Sequence, residues 1–398
     1  AHGRKYRGLI LMAQALSFEF LTAGQIQFGR GKVGAELAPQ IMTLGVPVMV
    51  ITGGSGLRHT GTRALVDALA PVLQVAIAAE PDLKTIEGAV MRARGAGVAC
   101  VVAIGGGAVI DAGKAIAALI PAPHPALRYL EVVGEGRALD AAPLPFVAIP
   151  TTAGTGAEVT KNAVISVPEH QRKVSLRDAR MLPDLAIIDP SLCDGMGRAQ
   201  TMMSGLDALT QVIEPYLCTR ANPFTDALCR DAIPRAVSGL RRLSDAFDRG
   251  GDDPMARDDM ALASVIGGLA LANAGLGAVH GLAGPAGGYL AQHGLICARL
   301  LVPVLLANEA RAESPALRGR FSDLRAWMGD AFGVSAEMAF EALARFIEGQ
   351  NLPRFGQAGL PADKIDQIAQ AAASSSSMKA SPVDLTASDL TEILREAL

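Results

Sequence analysis

The sequence predicts an α/β chain in two parts: an N-terminal parallel-sheet domain over residues 1–190 and an all-α C-terminal domain over 191–398. Three observations carry that reading. Short apolar runs alternate with helical segments through the first half, the pattern of parallel strands joined by crossover helices. A triple glycine, Gly105-Gly106-Gly107, stands where one of those runs meets a helix. After Asp189-Pro190 strand-like runs almost vanish and the chain turns rich in Ala, Leu, Met and Arg, which favour helix.

The expected strands are 47–52, 73–77, 99–104, 145–149 and 185–188, each apolar or β-branched enough to lie buried in a parallel sheet. Residues 33–44, 62–69 and 84–94 carry helical periodicity, and 109–119 continues from the glycines with the same spacing. The Ala/Ser patch 371–377 reads as a linker before a last helix at 387–397.

Half of the residues are hydrophobic and 19% are charged, which suits a well-buried enzyme and excludes a disordered binder. The net charge of -3, with signs mixed along the chain, leaves no basic stripe for nucleic acid. Cys100, Cys193, Cys218, Cys229 and Cys297 are odd in number and form no Cys-x-x-Cys pair, so they read as reduced, mostly buried thiols of a cytoplasmic protein. Cys297 in particular reads as a small buried hydrophobe. The polar opening at 1–7, and the breaks at Gln14 and Glu19 in the apolar run that follows, predict no secretory leader. Met260 to Ala298 contains no charged residue, but nine glycines with Asn273, His280, Pro285, Gln292 and His293 argue for close-packed interior helices and no membrane. Two histidines in so apolar a segment need partners.

The glycine turn suits phosphate, because glycines let the backbone approach a pyrophosphate and a helix start offers unpaired amides and positive potential. The same glycines also suit an ordinary tight turn. A second loop, Pro150-Thr151-Thr152-Ala153-Gly154-Thr155-Gly156-Ala157-Glu158, leaves another strand with hydroxyls and amides fit for phosphate and ribose. Asp207 and Gln211 are four apart and share a helix face. With His280 and His293 they make four donors able to close around a divalent cation.

These motifs, in this order, resemble the iron-containing (group III) alcohol dehydrogenases, whose fold is related to that of dehydroquinate synthase and glycerol dehydrogenase. The resemblance runs from Phe28-Gly29-Arg30-Gly31 to Ser381-Pro382. It implies a Rossmann-like first domain that binds a nicotinamide cofactor, NADP(H) or NAD(H), through Gly105, Gly106, Gly107, Asp111, Thr151, Thr152 and Thr155, with Lys173 near the cofactor. It implies Fe²⁺ or Zn²⁺ at Asp207, Gln211, His280 and His293, with Asp207, His280 and His293 catalytic, a small alcohol or aldehyde as substrate, and a homodimer. Ala108 replaces a usual serine, Gln211 replaces a metal-binding histidine, and Gly284 stands where many members carry another histidine. An amide oxygen is a poorer donor than imidazole for these metals, so affinity should fall, and a metal-free site like that of the similar maleylacetate reductases is the alternative. A degenerate, non-catalytic cofactor-binding protein is a further alternative. After the second strand, Gly53-Gly54-Ser55 carries no acidic residue and Arg58 follows, which resembles NADPH-using butanol dehydrogenases and favours NADP(H).

Overall fold

The computed structural model describes residues 17–54, 56–170, 172–290 and 292–398. Its strands are β1 (Gln25–Phe28), β2 (Val48–Gly53), β3 (Leu73–Ile77), β4 (Cys100–Gly105), β5 (Phe146–Pro150), β6 (Asn162–Val167), β7 (Arg172–Arg177) and β8 (Leu185–Ile188). Six of them form one parallel sheet in the order β1-β8-β5-β4-β2-β3, and β6 pairs with β7 in an antiparallel hairpin. The central strands β4 and β5 are buried at every residue, as a sheet covered on both faces requires. Helices α1 (Ala38–Met42), α2 (Thr60–Leu69), α3 (Leu83–Gly95) and α4 (Gly107–Leu119) belong to this half.

All five expected strands are present, and two more elements join them. β1 is a four-residue edge strand, too short to announce itself. The hairpin alternates buried and half-buried residues along β6, sending Ala163, Ile165 and Val167 into the core beneath α4. The helix expected over 33–44 shrinks to a 3₁₀ turn and α1. Pro39 lies in the first turn of α1, where its missing N–H costs nothing, so a helix starts there and cannot run through from 33.

The second half is helical: α5 (Arg198–Leu217), α6 (Pro223–Asp248), α7 (Pro254–Asn273), α8 (Ala278–Ala286), α9 (His293–Ala310), α10 (Pro315–Phe332), α11 (Ala339–Glu348), α12 (Ile365–Ala373) and α13 (Ala387–Ala397). The charge-free stretch 260–298 runs through three of them, with α7 and α8 meeting at a bend of 94°. α9 is long and apolar enough to cross a membrane, yet 61% of it is buried inside the protein, as in a core helix.

Small residues bring the two halves together. Gly156, at φ 57°, lies against α7, where a Cβ would stand 2.6 Å from the Cα of Gly268. A methyl at Gly268 would collide with the Gly156 carbonyl oxygen and stand 2.7 Å from Val159 Cγ2. Neither backbone has room to yield. Gly268→Ala is therefore expected to lower stability by about 1–3 kcal/mol through overpacking. The urea midpoint should fall at unchanged slope, and an unshifted midpoint would show the two backbones to be farther apart.

Candidate active site

β2 and β4 are neighbours, with Thr52 opposite Ile104, but β3 pairs on the far side of β2 and β5 on the far side of β4. The chain thus departs in opposite directions from two adjacent strand ends, and a crevice opens there. Gly53 ends one strand and Gly105 the other. Gly106 is the N-cap of α4 and no side chain caps it, which leaves the first amides and the positive end of the helix dipole facing outward. A Cβ at Gly105 would stand 2.6 Å from Val109 Cβ, so the turn is closed to any larger residue. Thr151 donates its N–H to the Gly105 carbonyl at 2.9 Å. The Thr152 hydroxyl would be 3.3 Å from a Cβ on Gly106, and the Thr155 hydroxyl 2.8 Å from one on Gly107. Amides and hydroxyls thus surround a cradle that only glycine keeps empty, and it fits a pyrophosphate. Gly54 is exposed with open space around it, and Arg58 is exposed beyond it. Ser55 lies outside the described residues.

Asp111, one turn into α4, engages the protein itself. Its Oδ2 accepts the Val164 N–H at 3.1 Å and its Oδ1 lies 3.7 Å from Lys114 Nζ. The Lys114 ammonium is buried and donates to the Thr160 carbonyl, the Thr160 hydroxyl and the Asn162 carbonyl. Burial pushes Asp111 up to about 6 and Glu158 up to about 7, and draws Lys114 down to about 8. This cluster fastens α4 to the hairpin and so sets the angle of the phosphate-facing helix end. Lys173, on β7, lies 3.6 Å from Glu80 and packs its stem beside Gly287.

On the helical side, α5 and α8 each send one donor, and α9 two, to a common point. Asp207 Oδ1 lies 3.4 Å from His280 Nε2 and 3.6 Å from His293 Nε2. Cys297 Sγ completes the group, 3.6 Å from His293 Nε2 and 3.9 Å from His280 Nε2. All four donor atoms lie within 4.8 Å of one another. Asp207 is 2% exposed, and its Oδ1 has no hydrogen-bond partner among the described residues. A buried carboxylate oxygen left so costs about 1–3 kcal/mol or more, and a cation would satisfy it.

His280 is aimed by a residue the sequence reading missed. Its Nδ1–H donates to Glu214 Oε2 at 2.6 Å, and Glu214 Oε1 accepts the Val279 N–H at 2.7 Å. The ring is thereby fixed with Nε2 toward the cluster, as outer carboxylates fix metal-binding histidines. Burial works against a charge on His280, but Cys297, Asp207 and Glu214 outweigh it and raise its pKa well above the usual value. Burial, aided by His280 and Lys173, lowers that of His293. His293 is also the open side of the cluster, with 36% of its side chain exposed. Gln211 points its amide nitrogen at the Gly154 carbonyl, 2.8 Å away, and so ties α5 to the loop after β5.

A profile of the iron-containing alcohol dehydrogenase family matches residues 23–190, and one for the family's C-terminal region matches 201–398. Lactaldehyde reductase of Escherichia coli (strain K12) is 33% identical over 384 residues, which covers 93% of this chain and 97% of the relative. The chain belongs to the iron-containing alcohol dehydrogenase family. It is an oxidoreductase of the alcohol and aldehyde class. The probable alcohol dehydrogenase EutG of the same organism is 37% identical over 303 residues, 74% of this chain and 73% of its own. Among solved structures, that of a 1,3-propanediol oxidoreductase superposes with a TM-score of 0.85 at 27% identity, covering 96% of this chain and all of its own.

Within this alcohol dehydrogenase fold, Asp207, His280 and His293 converge, and Cys297 joins them although its sequence context suggested only packing. The available signal was spacing. His293 and Cys297 are four apart on α9, and Asp207 and Glu214 are seven apart on α5, so each pair shares a helix face. At Gly284 a Cβ would meet nothing within 4 Å, so the position bears no side chain and leaves open space.

Proposed function

We propose that this chain interconverts a small alcohol and its aldehyde or ketone, prefers NADP(H) to NAD(H), and is assisted by Fe²⁺ or Zn²⁺ at Asp207, His280 and His293. The observation that carries the reading is the buried, unpartnered Asp207 Oδ1 facing two histidine nitrogens. When bound, a divalent cation polarises the substrate oxygen and the nicotinamide exchanges hydride with the reacting carbon. Asp207, His280 and His293 hold the site from three helices, and Glu214 keeps His280 turned toward it. Gly105, Gly106, Gly107, Thr151, Thr152 and Thr155 seat the pyrophosphate at the start of α4, with Gly53 and Gly54 beside the adenosine ribose. Lys173 sets positive charge between the nucleotide and the cluster. With glycine at position 284, the proton of the substrate hydroxyl passes to water at the exposed edge of His293. The lactaldehyde and 1,3-propanediol in two relatives' names support a short hydroxyaldehyde and diol pair as substrates.

We further propose a domain boundary at residue 190, where the last strand has ended, and a homodimer as in the family. Five buried, unbridged cysteines support a reducing cytoplasmic setting. The test is a turnover assay. Protein loaded with Fe²⁺ or Zn²⁺ should reduce short aldehydes with NADPH at least ~10-fold more efficiently than with NADH, and should stop on chelation and recover when metal is returned. Equal efficiency with both nucleotides would refute the preference. Full turnover after chelation would instead place the chain with metal-independent reductases of the maleylacetate type.

A further inference from the structure

We infer that Cys297 is the fourth metal ligand, so that its thiolate on α9 takes the place that Gln211 on α5 would otherwise fill. This rests on the metal reading above. The geometry supports it quantitatively. With metal bonds of about 2.0–2.1 Å to nitrogen or oxygen and about 2.3 Å to sulfur, tetrahedral donors stand ~3.4 Å apart, or ~3.6 Å where one is sulfur. The two histidine nitrogens lie 3.4 and 3.6 Å from Asp207 Oδ1, and Cys297 Sγ lies 3.6 and 3.9 Å from the same nitrogens. Four of the six separations among these atoms, which come from three helices, thus match that spacing, and the other two are no more than 4.8 Å.

Two further observations favour the sulfur over the amide. Asp207 Oδ1, buried and without a hydrogen-bond partner, is aimed into the same space, so the cysteine is not a lone thiol. Gln211 already donates its amide nitrogen to the Gly154 carbonyl, which commits one end of that amide to the loop after β5. The helical i, i+4 donor pair survives, but it has moved from α5 to α9 as His293 and Cys297. Cys297 would hold the metal as a thiolate, its proton released to solvent, and the exposed His293 side leaves room for a substrate oxygen to approach. A thiolate softens the set, so the site should favour Zn²⁺ and disfavour hard cations such as Mg²⁺.

Cobalt(II) is the probe. Metal-free full-length protein titrated with Co²⁺ should develop visible bands of tetrahedral intensity together with a near-ultraviolet thiolate-to-cobalt charge-transfer band. Cys297→Ser should lose the near-ultraviolet band and bind at least about 100-fold more weakly, since outer-shell partners alone are worth 10–100-fold. Gln211→Ala should keep both bands. Visible tetrahedral bands in the unaltered protein without the near-ultraviolet band would overturn the cysteine assignment while leaving the metal reading intact. Absence of any cobalt spectrum would overturn both.

Discussion

Replacing Asp207 with Ala is expected to empty the metal site and reduce kcat/KM by about a thousandfold or more, because a Lewis acid supplies several kcal/mol of transition-state stabilisation and each 1.36 kcal/mol is tenfold. Asp207 is the only carboxylate in the cluster of four donors. Without it two imidazoles and the Cys297 sulfur remain, a set with one negative charge fewer to offset a divalent cation. The variant should fold, because no hydrogen bond depends on Oδ1, but Asp207 lies 3.4 and 3.6 Å from two histidine nitrogens and helps to hold a charge on His280. The melting temperature of the metal-free variant is therefore expected to fall slightly below that of the metal-free parent, while metal content by elemental analysis falls toward zero. Asp207→Asn, which keeps an oxygen but loses the charge, should lie between the two. Turnover within tenfold of the parent in Asp207→Ala would refute the metal-assisted mechanism.

The second large effect is expected at the nucleotide. Gly54 lies exposed just after β2, and a Cβ there meets nothing within 4 Å, so Gly54→Asp should leave the fold undisturbed. A carboxylate at that end of the strand accepts the ribose hydroxyls of NAD(H) and repels a 2′-phosphate. Like-charge juxtaposition costs several kcal/mol, so a loss of about 100-fold in kcat/KM with NADPH is expected, near 2.7 kcal/mol. Efficiency with NADH should hold or rise. Steady-state kinetics with both nucleotides reads the crossover directly. Unchanged efficiency with NADPH would place the 2′-phosphate away from the end of β2.

Much of the fold was legible because its signals are local. Strands buried on both faces must be continuously apolar, so β2, β4, β5 and β8 stand out within six residues each. β1 escaped because four residues with a half-buried pattern carry no such signal, and the hairpin because its alternation is weak in a segment so rich in small and polar residues. The candidate site was legible in part. Histidines in a charge-free stretch demand partners wherever they fold. Cys297 and Glu214 are a different matter, since a buried thiol and a helical glutamate look alike whether they pack or ligate.

By itself, then, the chain's residue order determined the layered sheet, the helical second half and the glycine turn, because periodicity and backbone permissiveness act over one or two turns of chain. Only the folded structure decided which donors share a point. Asp207, Glu214, His280, His293 and Cys297 come from three helices joined by turns of unknown angle in one dimension, and their distances follow from how α5, α8 and α9 pack. Convergence is a property of packing, and packing is set by contacts between residues far apart in sequence.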